Sequence, residues 1–530
     1  MSRALGRRAA APPSARTAAP LVALVLSVAV GLSACSTSPG AEAGGHNPGA
    51  SSPSASTSTT LAGTVPLTER LRWHSCHKDF RCSTLVVPAS YSDKSEGTFD
   101  IAVVEDPAAS GAANAPDIVM NPGGPGAGGI QFLTSAAGGF SGLRAHFNLV
   151  SFDPRGVGAS SAVACGSASD LTAFLALDPS PTTPSEVSGV VSGVKAFVAA
   201  CLGDTPRRLL DNVSTADTAR DMDRLRAALG EKKLDYLGFS YGTYLGTLYA
   251  EAFPARVGRL VLDGAIDPAL SVTQSLTEQA AGFELDLRDF FSWCDKNSTC
   301  NGEVSGNAAA AFEGVMRDLR SGTTLTAHMN PSYGGTQQID YGIALLGAIS
   351  ALYSRNTWQY LGEAIAGAKN GEGAYFLALA DSYAGIGPNG EFSNELAANA
   401  AINCVDNPYR SSISGIEALS KAMAAVSPNF GPAEAWGDLV CDFWPVVSRR
   451  RPGPAHLVRA LPILVVGSTH DPATPYSWAK ALSSQLAGSV LLTRTGDGHT
   501  GYLASQCVRK WVNGFFATGG LPSRGTVCAS

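Results

Sequence analysis

Apolar runs recur along the chain at Phe99–Val104, Asp117–Met120, Phe147–Phe152, Leu234–Phe239, Arg259–Leu262, Ile463–Val466 and Ser489–Leu492, with helical periodicity between them. Strand-length runs alternating with helices predict an α/β fold built on a parallel sheet. Ahead of Leu234, the positions Ala216, Ala219, Met222, Leu225 and Leu229 mark one face of a helix. Ser214 or Thr215 is suited to cap its start, and Gly230 to end it. From 267 to 454 this rhythm is lost, and Ala- and Leu-rich pieces such as Tyr341–Tyr353 and Thr357–Ala368 read as helices. That stretch is too long for a loop. It is expected to be a large, mostly helical cap inserted between two halves of one sheet domain, 67–266 and 455–530. No internal repeat is evident.

Composition narrows the class. The chain has 530 residues, 45% hydrophobic and 15% charged, with a mean hydropathy of +0.07, which is globular and sufficient for an ample core. Acids outnumber Lys plus Arg by 44 to 38, and four of the basic residues (Arg3, Arg7, Arg8, Arg16) precede Cys35 while no acid does. The remainder is therefore more acidic still, which speaks against nucleic acid as a partner.

Residues 1–34 begin with these arginines and continue into an apolar run, Leu21–Leu32, too short to cross a bilayer. This is the pattern of a secretory signal peptide. The surroundings of Arg7-Arg8 fit twin-arginine export poorly, so general secretion is expected. Leu32-Ser33-Ala34-Cys35 resembles the bacterial lipobox, in which the cysteine is lipidated and becomes the mature N-terminus. Residues 35–66 are Ser, Thr, Ala, Gly and Pro with almost no charge, as in a flexible linker holding a globular body off a membrane. The expected location is the bacterial cell surface, anchored through lipid on Cys35 or in part shed.

Of eleven cysteines, Cys35 set aside, ten remain, an even number that in an exported chain reads as disulfides. Spacing alone does not fix connectivity. Pairing by proximity joins Cys76 with Cys82, Cys165 with Cys201, Cys294 with Cys300, Cys404 with Cys441 and Cys507 with Cys528. The eight histidines are dispersed and no Cys-x-x-Cys or His-x-x-x-His pattern occurs, so neither a metal site nor a cofactor is expected.

Gly238-Phe239-Ser240-Tyr241-Gly242 matches G-x-S-x-G, and it follows a strand and opens the helical pattern Tyr241–Ala252. In that context the serine sits on a sharp turn with its hydroxyl projecting above the sheet, and the helix N-terminus favours negative charge developing there. A serine hydroxyl needs a base, and the base an orienting acid. Asp471 follows the strand ending at Val466, and His499 follows the next one, so Ser240, Asp471 and His499 are the candidate triad. Asp497 and Asp263 compete for the acid role, and His470 reads as a bystander. Asn121-Pro122-Gly123-Gly124-Pro125-Gly126 follows another strand, where glycines let backbone N–H groups approach an oxyanion. Gly124 and Tyr241 are the candidate donors. In Asp153-Pro154-Arg155-Gly156, the charged pair is expected to hold its loop beneath the site.

Taken together, the Pro-Gly-Gly-Pro-Gly loop, Asp153-x-Arg155-Gly-x-Gly-x-Ser160, Gly-Phe-Ser-Tyr-Gly, Leu262-Asp263-Gly264, Cys404-x-Asp406 and the late Asp471/His499 pair resemble the secreted tripeptidyl aminopeptidases of actinobacteria, relatives of the proline iminopeptidases. The resemblance runs from about Leu67 to the C-terminus. One departure is Asn121, where proline iminopeptidases carry histidine. The resemblance implies an α/β-hydrolase fold and a serine exopeptidase that releases short peptides, tripeptides first, through an acyl-enzyme. It also implies a cap acid for the substrate's terminal ammonium, with Asp406 the first candidate and Glu278 or Asp267 the others. A carboxylesterase or lipase on the same triad is the alternative, and a non-catalytic surface-binding lipoprotein a weaker one.

Overall fold

The computed structural model describes residues 68–112, 114–328, 335–387, 390–446 and 452–529. The signal peptide, Cys35 and the linker lie outside the described residues. The described residues form twelve strands: β1 (His74–Cys76), β2 (Phe80–Pro88), β3 (Thr98–Asp106), β4 (Asp117–Asn121), β5 (Asn148–Phe152), β6 (Leu234–Phe239), β7 (Val257–Asp263), β8 (Leu325–His328), β9 (Thr336–Ile339), β10 (Ile463–His470), β11 (Val490–Asp497) and β12 (Val527–Cys528). Ten form one sheet in the order β1-β2-β3-β5-β4-β6-β7-β10-β11-β12, and β8 and β9 form a separate hairpin.

From β5 to β12 every neighbouring pair is parallel, as the alternating pattern predicts. The β1–β2, β2–β3 and β3–β5 pairs are antiparallel, making the sheet mixed. The unbroken apolar runs have a simple cause: both faces of the sheet are covered. In β4, Ile118 and Met120 enter one apolar cluster while Val119 enters the other; in β10, Leu464 and Val466 part from Ile463 and Val465 in the same way. One face packs on Phe132, Leu133, Val512 and Phe515. The other packs on Met222, Leu225, Leu245 and Tyr249 from the helices Thr215–Leu229 and Tyr241–Ala252. The first of these has the expected punctuation: the Ser214 side chain accepts from the Asp217 N–H, and Gly230 closes it at φ 92°.

The segment between β7 and β10 is mostly helical and also contains the β8–β9 hairpin. It packs in two parts. Helices from Val272–Lys296 through Ala374–Ala384 share their own apolar cluster around Phe290, Phe312, Trp358 and Phe376. Ala398, Ile402 and Trp436 instead join the main core against the long helix Pro184–Asp204. All five disulfides pair neighbouring cysteines as expected, closing Cys76–Cys82, Cys165–Cys201, Cys294–Cys300, Cys404–Cys441 and Cys507–Cys528. Such bridges belong to an oxidising compartment.

Candidate active site

Ser240 sits between β6 and its following helix at φ 53°, in the left-handed region that non-glycine side chains rarely enter. Its N–H donates to the Asp263 carbonyl at 2.9 Å, which ties the turn to the end of β7. The flanking glycines are required by close approach. A Cβ on Gly238 would lie 2.4 Å from the Gly242 carbonyl oxygen, and one on Gly242 would lie 2.8 Å from Asn121 Oδ1. Across the turn lies the glycine loop after β4: a Cβ on Gly123 would stand 2.9 Å from the Ser240 Cβ and 3.2 Å from the Tyr241 nitrogen. Asn121 Oδ1 accepts the Gly123 N–H at 3.1 Å, so the asparagine that departs from the proline iminopeptidase pattern anchors this loop from within.

Asp471 and His499 meet at the ends of β10 and β11, where His499 Nδ1 lies 2.8 Å from Asp471 Oδ1. That carboxylate is buried and saturated with donors: Oδ1 also accepts the Ala473 and Thr474 N–H groups at 3.1 and 2.8 Å, and Oδ2 the Thr500 N–H at 3.2 Å. The Thr474 hydroxyl lies 3.3 Å from the same imidazole nitrogen. Burial alone would depress the His499 imidazolium, but the Asp471 carboxylate, helped by Asp263, outweighs it and raises the pKa above 6.5. His499 Nε2 is enclosed and has no hydrogen-bond partner among the described residues. Its Cε1 stands 3.0 Å from where a Cβ on Gly264 would be, so the imidazole rests on the end of β7 to which Ser240 is also tied.

The competing acids have other work. Asp263 is fully buried and accepts the Gly501 and Tyr502 N–H groups at 2.7 Å each, fixing the turn after His499; burial pushes its carboxyl to about 6. Asp497 pairs with Arg355 and with His470. Asp153 holds its loop by accepting from the Ile130 and Ala159 N–H groups, and the buried Arg155 forks onto Asp221. Their role is structural, as read from sequence.

The three cap acids each have a structural partner. Asp406 accepts from the Thr215 N–H and hydroxyl, bracing the start of the helix Thr215–Leu229. Glu278 accepts from Trp478 Nε1 at 2.6 Å, and Asp267 from the Ala269 N–H and Gln485 Nε2 at 2.9 and 2.7 Å. Two other carboxylates approach the histidine. The Tyr353 ring packs edge-on against His499 at 5.3 Å and the Tyr383 ring edge-on against Tyr353 at 5.7 Å. Tyr383 feels the charges of both Glu434 and Glu395. Burial alone pushes each of these carboxyls to about 7, and neither has a hydrogen bond or ion pair among the described residues. The backbone of Glu395 lies against the glycine loop, with its carbonyl 2.7 Å from where a Gly126 Cβ would be. Sequence reasoning missed Glu395, Glu434, Tyr353 and Tyr383 because they come from four separate cap helices or their ends, with no motif to join them.

Several known proteins are similar to this chain. A family profile described as "TAP-like protein" matches residues 427–528, the span holding Asp471 and His499. Serine protease Hip1 of Mycobacterium tuberculosis is 34% identical over 457 residues, covering 84% of this chain and 87% of the relative. Carboxylesterase B of the same species is 33% identical over 475 residues, covering 86% and 89%. The tripeptidyl aminopeptidase of Streptomyces coelicolor is 30% identical over 423 residues, covering 78% and 76%. With relatives matched over most of their length and a sheet whose strand ends gather a serine turn and an aspartate–histidine pair, the chain belongs to the tripeptidyl aminopeptidase family of actinobacterial α/β-hydrolases and is a serine hydrolase.

Proposed function

We infer that the protein is a serine exopeptidase that releases short peptides, tripeptides foremost, from the free N-terminus of a peptide or protein. Ser240 attacks the scissile carbonyl, His499 takes its proton and passes it to the leaving amine, and Asp471 holds the imidazole and stabilises its charge. The Gly124 and Tyr241 N–H groups face the developing oxyanion, and the stretch 267–454 caps the site. The observation that carries the N-terminal reading is the pair Glu395 and Glu434, half-buried, without a cationic partner among the described residues, and adjoining the tyrosines that lead to His499. Burying carboxylates without a cation is costly, and a substrate ammonium supplies the missing charge.

The test is a panel of free and N-acetylated mono-, di- and tripeptidyl anilides with short acyl esters, read on the full-length protein. Free tripeptides are expected to be cleaved and acetylated ones spared; ester turnover alone would establish the carboxylesterase reading instead. For free peptides kcat/KM is expected to fall below about pH 7, as Glu395 and Glu434 take up protons. It falls again as the substrate's α-amino group loses its charge, at about 7.7–8.0. Glu434→Gln and Glu395→Gln should each cost about 10–100-fold in kcat/KM, mainly through KM, on free peptides and little on esters.

The same reading places the enzyme on the outer face of the cell membrane through lipid on Cys35. Labelling of cells with a radiolabelled fatty acid is expected to mark the wild type and not Cys35→Ala, which should appear in the medium; equal labelling of both would remove the anchor.

A further inference from the structure

The helix Val272–Lys296 lies lengthwise against the loop that carries Asp471. Gln279 Nε2 donates to the Ala473 carbonyl at 2.6 Å, and a Cβ on Gly282 would lie 2.6 Å from the Pro472 carbonyl oxygen. One and two turns further along the same face come Asp286 and Asp289. Asp289 Oδ2 lies 2.8 Å from His470 Nδ1, and Asp497 Oδ1 lies 3.1 Å from that same nitrogen. The three ligand-type atoms fall within 4.8 Å of one another. Asp286, set between the Gly282 contact and Asp289, is 0% exposed, and neither of its oxygens has a full hydrogen bond among the described residues, the Gly498 N–H only partly favouring its charge. Burial, with the charges of Asp497, Asp289 and Asp471, pushes its carboxyl to about 9, so that it is a neutral acid until a cation arrives.

We propose that Asp289, His470 and Asp497, backed by Asp286, bind one divalent cation of the zinc or manganese class where the cap helix meets the two catalytic loops. The donor set is one imidazole and carboxylates with no thiolate, which suits these ions. Zinc bonds of about 2.0–2.1 Å hold neighbouring ligand atoms about 3.3 Å apart, close to the two spacings at His470, and the Asp289 and Asp497 oxygens, within 4.8 Å of each other, adjust to the same span. Charge points the same way. With His470 neutral, as a ligand must be, the Asp289 and Asp497 carboxylates share one guanidinium, that of Arg355, and Asp286 adds a third carboxylate once an arriving cation displaces its proton, so a divalent ion offsets the charge that is left. Asp497 serves both partners, with Oδ2 on Arg355 and Oδ1 toward the ion. The His470 side chain is 41% exposed, which leaves an entry path from solvent. The ion would join the cap to His470, next to Asp471, and to Asp497, two residues before His499, without touching either.

The test is calorimetric titration of untagged, chelator-dialysed full-length protein with zinc, manganese and calcium chlorides, followed by thermal melts. One equivalent of zinc is expected to bind, more tightly than manganese and far more tightly than calcium, and to raise the melting temperature. Asp289→Asn, at a half-exposed position, should weaken binding at least tenfold. Asp286→Asn should also weaken it, because an amide cannot give up a proton to supply the carboxylate that the ion recruits, while the melting temperature of the metal-free protein stays near that of the wild type, where the same side chain is a neutral acid. Failure of the wild type to take up an ion would overturn the proposal. So would uptake that both substitutions leave intact, since the ion would then sit elsewhere. If the melt ignores all three ions but His470→Gln lowers it, His470 is an imidazolium bridging two aspartates and no metal site exists.

Discussion

Ser240→Ala is expected to lower kcat about 10⁵–10⁶-fold and to abolish labelling by a fluorophosphonate, with the melting temperature nearly unchanged. Alanine keeps the Cβ against which Gly123 packs and tolerates the 53° φ no worse than serine does, so the turn and the glycine loop stay in place. It removes the only atom able to form the acyl-enzyme. Residual turnover would then come from oriented water and the oxyanion donors alone. Activity above about 1% of wild type in this variant would show that Ser240 is not the nucleophile.

Asp471→Asn is expected to cost about 10³–10⁴-fold in kcat, and the pattern of donors around the carboxylate says why. Oδ1 meets three hydrogen-bond partners, His499 Nδ1 and the Ala473 and Thr474 N–H groups, whereas Oδ2 meets one, the Thr500 N–H. An asparagine therefore turns its NH2 toward Thr500 and keeps its carbonyl on the imidazole. The tautomer survives and the negative charge does not. With that charge gone, burial dominates and the His499 pKa drops from above 6.5 to below it. On protein stripped of divalent cations, the acid limb of the residual activity should move to lower pH. A limb that stays in place or moves up would mean that Asp471 does not set the charge state of His499.

The sheet was largely legible because its central parallel strands, β4 to β7 and β10, are short apolar runs buried on both faces, whereas the two-residue edge strand β12 carries no such run. β1 and β2 were not, since β2 alternates buried Ser83, Leu85 and Val87 with exposed or half-exposed neighbours and carries Arg81, Cys82 and Pro88, a mixture without a strong strand signature. The candidate triad could be named from sequence because each member follows a strand and the turn at Ser240 admits only glycine at its flanks. The acids of the cap were not. Asp406, Glu278 and Asp267 have the right charge and the right segment, yet each is held by an N–H or O–H that lies far away in sequence, up to 218 residues for Asp267 and Gln485. Glu395 and Glu434 stand out only once the fold shows that nothing among the described residues neutralises them. Local pattern finds what a turn or a strand end requires; a missing counter-charge is a property of the assembled interior.

The five disulfides pair the ten cysteines strictly in order along the chain, first with second and third with fourth through to the last two, across separations of 6, 36, 6, 37 and 21 residues. For a chain threaded N-terminus first through a membrane, each bridge can close as soon as the second cysteine of its own pair emerges. No thiol has to wait for a distant partner, and a cysteine that reacts with the nearest free neighbour already makes the native bond. Assembly in an oxidising compartment thus needs an oxidant but little reshuffling. It also leaves the two apolar cores of the enzyme free to find each other by packing alone, since no covalent link ties the cap to the sheet beyond the chain itself.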